Sequence, residues 1–367
     1  MSGAPARSEG LGRKLRSKKT VQVPMLAYDT VYNDYGHTDE SDNATADCTL
    51  LADIGFGPRH QRSSSNPRRI VIGTPPISGC NRERWRLSTG PVTSGWSGDI
   101  GYVYSGDFLF AHLLIDEPAG TDLAQLTRAA YGRLLAFVRD SQCPELLRIW
   151  NYLPRINEQE RGLERYQAFC LGRAQAFTDA DVPAHQFPAA TAIGSPAPGL
   201  SVHLLASRQP GTPIENPRQI RAYEYPLPYS PRPPSFARAM RYIGPQQSLE
   251  LAISGTASIV GHVTMHPHNL GRQLHETLRN LDILREQGQG SPQGLSNPRL
   301  LLKVYLRDPG RLPEIAPRLF EWAGAQSQIM YLQGAICRRA LEIEIEAHSS
   351  APHVSPNRLT RIEPARY

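Results

Sequence analysis

The chain has 367 residues, of which 40% are apolar and 20% charged, with a formal net charge of +6 and five cysteines. This is the composition of a globular protein long enough for two domains, and no apolar run reaches the roughly 18 residues of a membrane span. The cysteines at 48, 80, 143, 170 and 337 are odd in number, widely spaced and form no Cys-x-x-Cys pair. They therefore fit neither a disulfide framework nor a zinc site, and a reducing cytoplasm is expected.

In chain order, residues 1–22 carry Arg7, Arg13, Lys14, Arg16, Lys18 and Lys19 among Gly and Ser, which predicts a solvated, disordered basic tail. No apolar h-region occurs there, so no secretory signal is expected, and no nucleic-acid motif follows the basic run. Residues 23–95 show only short apolar pieces such as Ile70-Val71-Ile72 between loops rich in Gly, Pro and Ser.

From residue 100 the periodicity is clear. It predicts a strand pair over 102–115, an amphipathic helix over 122–139, a strand over 146–153, a helix over about 159–177 and a strand over 200–206. A Pro-rich crossing at 209–235 follows. The order then repeats: a strand pair over 249–263, helices over 270–287 and 312–322, the second containing Pro317, and strands over 300–306 and 340–347.

Ser105-Gly106-Asp107 matches Ser254-Gly255-Thr256, and Arg148-Ile149-Trp150-Asn151-Tyr152 matches Lys303-Val304-Tyr305-Leu306, at an offset of about 150 residues. A duplicated ββαβαβ unit is expected: an α+β fold of two fused domains, each a mixed sheet with two helices on one face. The expected boundaries are 23–208 and 236–348, with 349–367 a C-terminal tail, and the junction of the two sheets is the default place for a small-molecule cleft.

The closing strand has the sharpest pattern. Leu341, Ile343 and Ile345 alternate with Glu342, Glu344 and Glu346, which predicts one apolar and one acidic face. Two readings stay open: a solvated edge strand, or a set of carboxylates whose mutual repulsion and burial hold one of them protonated as a general acid. His262, His266 and His268 invite a metal reading, but no third ligand with suitable spacing follows, and a polar loop beside Pro267 is expected instead.

The segment from Ser254 to His262, Glu276-Thr277-Leu278-Arg279-Asn280, Lys303 to Asp308 and the closing Glu-Ile-Glu strand resemble the YjgF-like fold. Together with Arg148 to Tyr152, Glu164-Arg165-Tyr166-Gln167, Gly172-Arg173, Tyr223-Glu224-Tyr225-Pro226 and Ser235 to Ala239, the chain resembles more specifically the chorismatases, over roughly residues 100–347. That resemblance implies removal of pyruvate from chorismate, with neither metal nor organic cofactor.

On the same resemblance Glu344 is the acid that protonates the enol-ether methylene, while Tyr166, Arg173, Tyr225 and Arg238 hold the two carboxylates of the substrate. Arg148, Tyr152, Tyr223 and Arg338 are reserves. Cys337 and Ala257 occupy positions that separate product types: a cysteine goes with aromatisation to a hydroxybenzoate rather than hydrolysis to a dihydroxydiene acid. On this resemblance the combination with Ala257 implies a bifunctional enzyme making both 3- and 4-hydroxybenzoate.

The expected partner is the small molecule chorismate, with no nucleic acid or membrane, on a monomer or homo-oligomer. The rival readings are a hydrolytic chorismatase, an imine or enamine hydrolase, and a non-catalytic ligand- or nucleic-acid-binding protein.

Overall fold

The computed structural model describes residues 27–30, 50–87, 92–226, 231–289 and 300–351. The basic tail at 1–22 and most of the expected C-terminal tail lie outside these residues.

Two sheets carry the architecture. In the first half, Ile100–Ser105 and Phe108–Ile115 lead into helix Leu123–Arg139, strand Glu145–Pro154, helix Arg165–Asp179 and strands Ala189–Ser195 and Leu200–Ser207. In the second, Ala239–Ile243 and Leu249–Thr256 lead into helix Leu270–Gln289, strand Leu300–Leu306, helix Leu312–Ala323 and strands Gln328–Gln333 and Ile343–Ala351.

Numbering the five repeated strands of each half in chain order, both sheets run fourth, third, fifth, second, first. The third and fourth strands are parallel and the other neighbours antiparallel. The duplication is therefore real and the fold is α+β, but each half contains one strand more than the expected unit. Ala189–Ser195 and Gln328–Gln333 are short and largely buried, so they lack the alternation that marks a half-solvated strand.

Local differences have local causes. The helix expected from about residue 159 begins at Arg165, because Gln159–Glu160 and Leu163–Glu164 form a small hairpin. Arg161 at φ 51° and Gly162 at φ 81° turn that hairpin and cannot continue a right-handed helix. The second strand pair begins at Ala239 rather than Leu249, and Ile259–Val260 with Val263–Thr264 is a separate short hairpin.

Ser105-Gly106-Asp107 and Ser254-Gly255-Thr256 are consequently not equivalent. Gly106 sits at φ 57° in the turn between the first two strands, whereas Gly255 lies inside the second strand. His266 and His268 both have positive φ, 54° and 57°, so they belong to a turn and share no strand face.

The helices pack on the outer faces of the sheets. Leu109, Leu113, Tyr131, Leu135, Phe169 and Phe177 belong to the first helix–sheet core, and Leu274, Leu281, Leu302, Val304, Ile315 and Ile343 to the second. A third core lies between the sheets, where Trp150, Tyr152, Leu205, Met240, Tyr242 and Tyr305 meet.

The region that was unreadable in sequence joins this third core. Ala27–Thr30, Arg82–Arg86, Leu50–Phe56, Arg69–Ile72 and Gln61–Arg62 form a five-stranded sheet. Its Trp85 packs 5.6 Å from Phe110 and 5.3 Å from Trp150, ring centre to ring centre. Pro76–Gly79 leaves that sheet and pairs antiparallel with Gln328–Gln333, at the edge of the second half's sheet.

Candidate active site

The closing strand is not an edge strand. Ile343–Ala351 lies between Leu249–Thr256 and Leu300–Leu306, so both of its edges are paired. Ile343 and Ile345 enter the helix–sheet core, whereas Leu341 precedes the strand and joins the core between the sheets. The acidic positions meet three different environments. Glu342 stays near the surface with His268 Nδ1 at 3.3 Å. Glu344 and Glu346 are buried, at 4% and 3% exposure.

Glu346 sits in a buried ionic cluster. Lys303 Nζ is 2.7 Å from its Oε1 and Arg148 Nη2 is 3.0 Å from its Oε2. Trp150 Nε1 donates to Oε1 at 2.8 Å and Thr191 Oγ1 donates to Oε2 at 2.5 Å. Burial alone would raise this carboxyl, but Lys303 and Arg148 outweigh it and hold Glu346 below its ordinary value, as an anion.

Glu344 has the opposite balance. Burial and then the neighbouring Glu346 charge push it up to about 8, against a weaker pull from Arg148 and Arg238. At neutral pH it is therefore a carboxylic acid. Gly255, on the adjacent strand, explains how it fits: a Cβ there would fall 2.0 Å from Glu344 Oε1. The Gly255 N–H is itself fixed, donating to Thr191 Oγ1 at 3.0 Å. This backbone-to-carboxyl approach is the physical use of the glycine in the Ser-Gly-Thr segment.

Glu344 opens onto a cavity of about 550 Å³ at the junction of the halves. Tyr166, Tyr225, Arg238, Ala257 and Cys337 all line it with Glu344, so the structure brings together six of the seven residues singled out in the sequence. The seventh, Arg173, does not line it. Its guanidinium lies 5.3 Å from the ring centres of both Tyr131 and Phe177, in the helix–sheet core. A seven-residue spacing on one helix was not enough to place it beside Tyr166.

Arg338, only a reserve in the sequence, does line the cavity, with Arg339. Arg338 Nη1 donates to His262 O at 2.8 Å and Thr264 Oγ1 at 3.0 Å, which holds the side chain in place. Its guanidinium and that of Arg238 each lie 5.5 Å from the Tyr225 ring centre. Arg238 Nη2 donates to Tyr225 Oη at 2.7 Å and to Ile220 O at 3.0 Å, and its buried Nε has no partner among the described residues. Two guanidiniums and a phenol thus border the space in front of a neutral carboxylic acid, which suits a small dianion with one group to be protonated.

Tyr166 and Cys337 are neutral. Burial lifts the Tyr166 phenol well above its usual range. Burial and the Glu344 carboxyl lift the Cys337 thiol to about 12, so it is no thiolate nucleophile. Among the described residues no group of three or more His, Cys, Asp or Glu side chains is arranged to hold a metal ion.

Arg148 and Tyr152, also reserves, belong to the contact between sheets; Tyr152 Oη is 2.9 Å from Tyr305 Oη. Glu346, Lys303 and Gly255 had no individual sequence signal beyond their place in the matched motifs. No described helix is long and apolar enough to cross a membrane.

Comparison with known proteins identifies the family. The family model described as "Chorismatase FkbO/Hyg5-like, N-terminal" matches residues 83–206. A 3-hydroxybenzoate synthase of Streptomyces hygroscopicus is 36% identical over 259 residues, covering 67% of this chain and 75% of the relative. A chorismatase of the same organism is 32% identical over 316 residues, covering 83% and 91%. A chorismatase crystal structure superposes with a TM-score of 0.76 at 30% identity, covering 89% of this chain and 99% of that one. The chain belongs to the chorismatase family.

Proposed function

We propose that this protein cleaves chorismate to pyruvate and a hydroxybenzoate, with Glu344 as the proton donor. The carrying observation is a carboxyl raised to about 8, facing a cavity bordered by Arg238 and Arg338, in a chain of this family. In this reading the arginines and the Tyr166 and Tyr225 phenols bind the two substrate carboxylates. Arg338 takes the role first expected of Arg173.

Glu344 delivers its proton to the terminal methylene of the enol ether, which becomes the methyl group of pyruvate, and the resulting oxocarbenium ion weakens the ring C–O bond. With no water admitted, the neighbouring ring hydroxyl gives up its proton and closes onto the ring carbon that pyruvate leaves, and the resulting arene oxide opens and aromatises to 3-hydroxybenzoate. Without that closure, loss of the proton from the hydroxyl-bearing carbon gives 4-hydroxybenzoate. Either way the atoms of chorismate divide between pyruvate and hydroxybenzoate. Admission of one water gives the dihydroxydiene acid instead. Cys337 and Ala257, both in the cavity wall, are the residues that decide between these outcomes and between 3- and 4-hydroxybenzoate. The reaction needs no cofactor. The four described cysteines are free, in keeping with a cytoplasmic location.

The test is incubation with chorismate, with pyruvate measured and the ring products resolved by chromatography. Pyruvate with 3-hydroxybenzoate is the expected result. No pyruvate above the buffer rate overturns the reading, and pyruvate with only the non-aromatic diene acid overturns the role of Cys337.

A further inference from the structure

The ionic cluster behind Glu344 extends beyond Glu346. Lys303 Nζ, 2.7 Å from Glu346 Oε1, is also 2.9 Å from Glu83 Oε2, and Glu83 Oε1 accepts from Trp85 Nε1 at 2.8 Å. Glu83 belongs to strand Arg82–Arg86 of the N-terminal sheet, outside the duplicated unit. Glu83, Arg148, Lys303 and Glu346 are each no more than 3% exposed, so water screens them little. Their charges cancel, two cations against two carboxylates. Glu344 is the fifth ionisable group, and its ionisation would leave the buried set with one uncompensated negative charge.

We infer that Glu83 is a positioning residue which, through Lys303 and Glu346, keeps the Glu344 carboxyl in its acid form, so that the N-terminal sheet completes the active site electrostatically without touching substrate. The relay is contiguous. Glu83 engages Lys303, Lys303 engages Glu346, and Glu346 accepts from Thr191, whose hydroxyl also accepts the Gly255 N–H lying against Glu344.

Without the Glu83 charge, Lys303 and Arg148 would exceed Glu346 by one positive charge, and ionised Glu344 would restore the balance. The other groups around Glu344 do not supply this control. Tyr166 and Cys337 stay neutral, Arg238 across the cavity pulls toward ionisation, Arg338 lines the same cavity, and Glu164 stands at the N-terminus of helix Arg165–Asp179.

The inference rests on the proposed role of Glu344, so its test needs a readout separate from turnover. The carboxylic-acid carbonyl band of Glu344 is followed by infrared titration, assigned by its loss in Glu344→Gln, beside the alkaline limb of kcat for chorismate. Glu83→Gln is expected to lower both midpoints by about one pH unit or more. Lys303→Met is expected to raise them, and Glu83→Gln with Lys303→Met to return them to the parent value.

Folded variants with unchanged midpoints overturn the inference, because a merely structural role would lower stability without moving them. Should Glu83→Gln not fold, Lys303→Met decides by the direction of its shift. If the band moves as expected while Glu344→Gln still turns over, the charge relay stands and the acid assignment falls. If Glu344→Gln is inactive and the band does not move, the acid stands and the relay falls.

Discussion

The two halves place their fifth strands identically, yet only one of them carries buried carboxylates. Tyr152 is opposite Ser201 in the first sheet and Tyr305 is opposite Glu344 in the second; Trp150 is opposite His203, and Lys303 opposite Glu346. The two tyrosines meet hydroxyl to hydroxyl at 2.9 Å, so the equivalence is physical contact as well as topology.

In the first half the inward positions are neutral. Burial and the nearby cations drive His203 far below its ordinary value, and its ring stacks 4.8 Å from Trp150. In the second half the same positions are carboxylates, and the first half contributes Arg148, Trp150 and Thr191 to hold one of them. Duplication supplied the frame, and the asymmetry of charge across it sets apart the candidate site.

The comparison can be broken most forcefully at its two strands. Glu344→Gln is expected to lower kcat by about 10²- to 10⁴-fold while chorismate still binds, as read by pyruvate release and ligand titration. At the first half's counterpart of Glu346, His203→Phe should leave turnover intact and change stability by less than about 1.5 kcal/mol, since neither ring nitrogen has a partner among the described residues. An equal loss of turnover in both variants would defeat the claim that one half alone is chemical.

Gly255→Ala comes next. The added methyl would collide with Glu344 Oε1 and move the acid, so kcat should fall by about 10²-fold with the thermal midpoint little changed. Full activity would mean that the carboxyl does not act from this position.

The pH dependence sharpens the same contrast. In its proposed role Glu344 works in the acid form, so kcat should fall above pH about 8, tenfold per unit, as the proton is lost. Because its folded value is raised from 4.5 to about 8, the folded state binds more protons in that window, and this group makes stability decline as pH rises through it. The alkaline fall in kcat should be absent from any residual turnover of Glu344→Gln.

The smallest effect is at the shared tyrosines. Tyr152→Phe and Tyr305→Phe should each cost about 1 kcal/mol in urea unfolding. Similar losses would support the equivalence of the two halves, and unequal ones would show where it ends.

Much of this was legible in the chain. The helix after Asp122 was visible because its apolar stripe is long and its cap is real: Asp122 Oδ1 accepts the Ala124 and Gln125 N–H groups. Residues 189–195 and 328–333 were not, since strands buried on both faces lose their alternation, nor was residue 161, where a left-handed backbone overrides helical composition. Within the site, Glu344, Tyr166, Tyr225, Arg238, Ala257 and Cys337 were found through motifs. Arg173 lies in the helix–sheet core and Arg338 lines the cavity, a difference hidden from the sequence because spacing along one element says nothing about what packs against it.

By itself the sequence determined the duplicated α+β frame, the acidic alternation at its end and the likeness to chorismatases, because periodicity and motif order are properties of the linear chain. Tertiary structure alone supplied the physical difference among the three alternating glutamates. Glu342, Glu344 and Glu346 are chemically identical in sequence. What separates them is a surface histidine beside the first, a cavity before the second, and Lys303 and Arg148 around the third, contacts that span up to 198 residues.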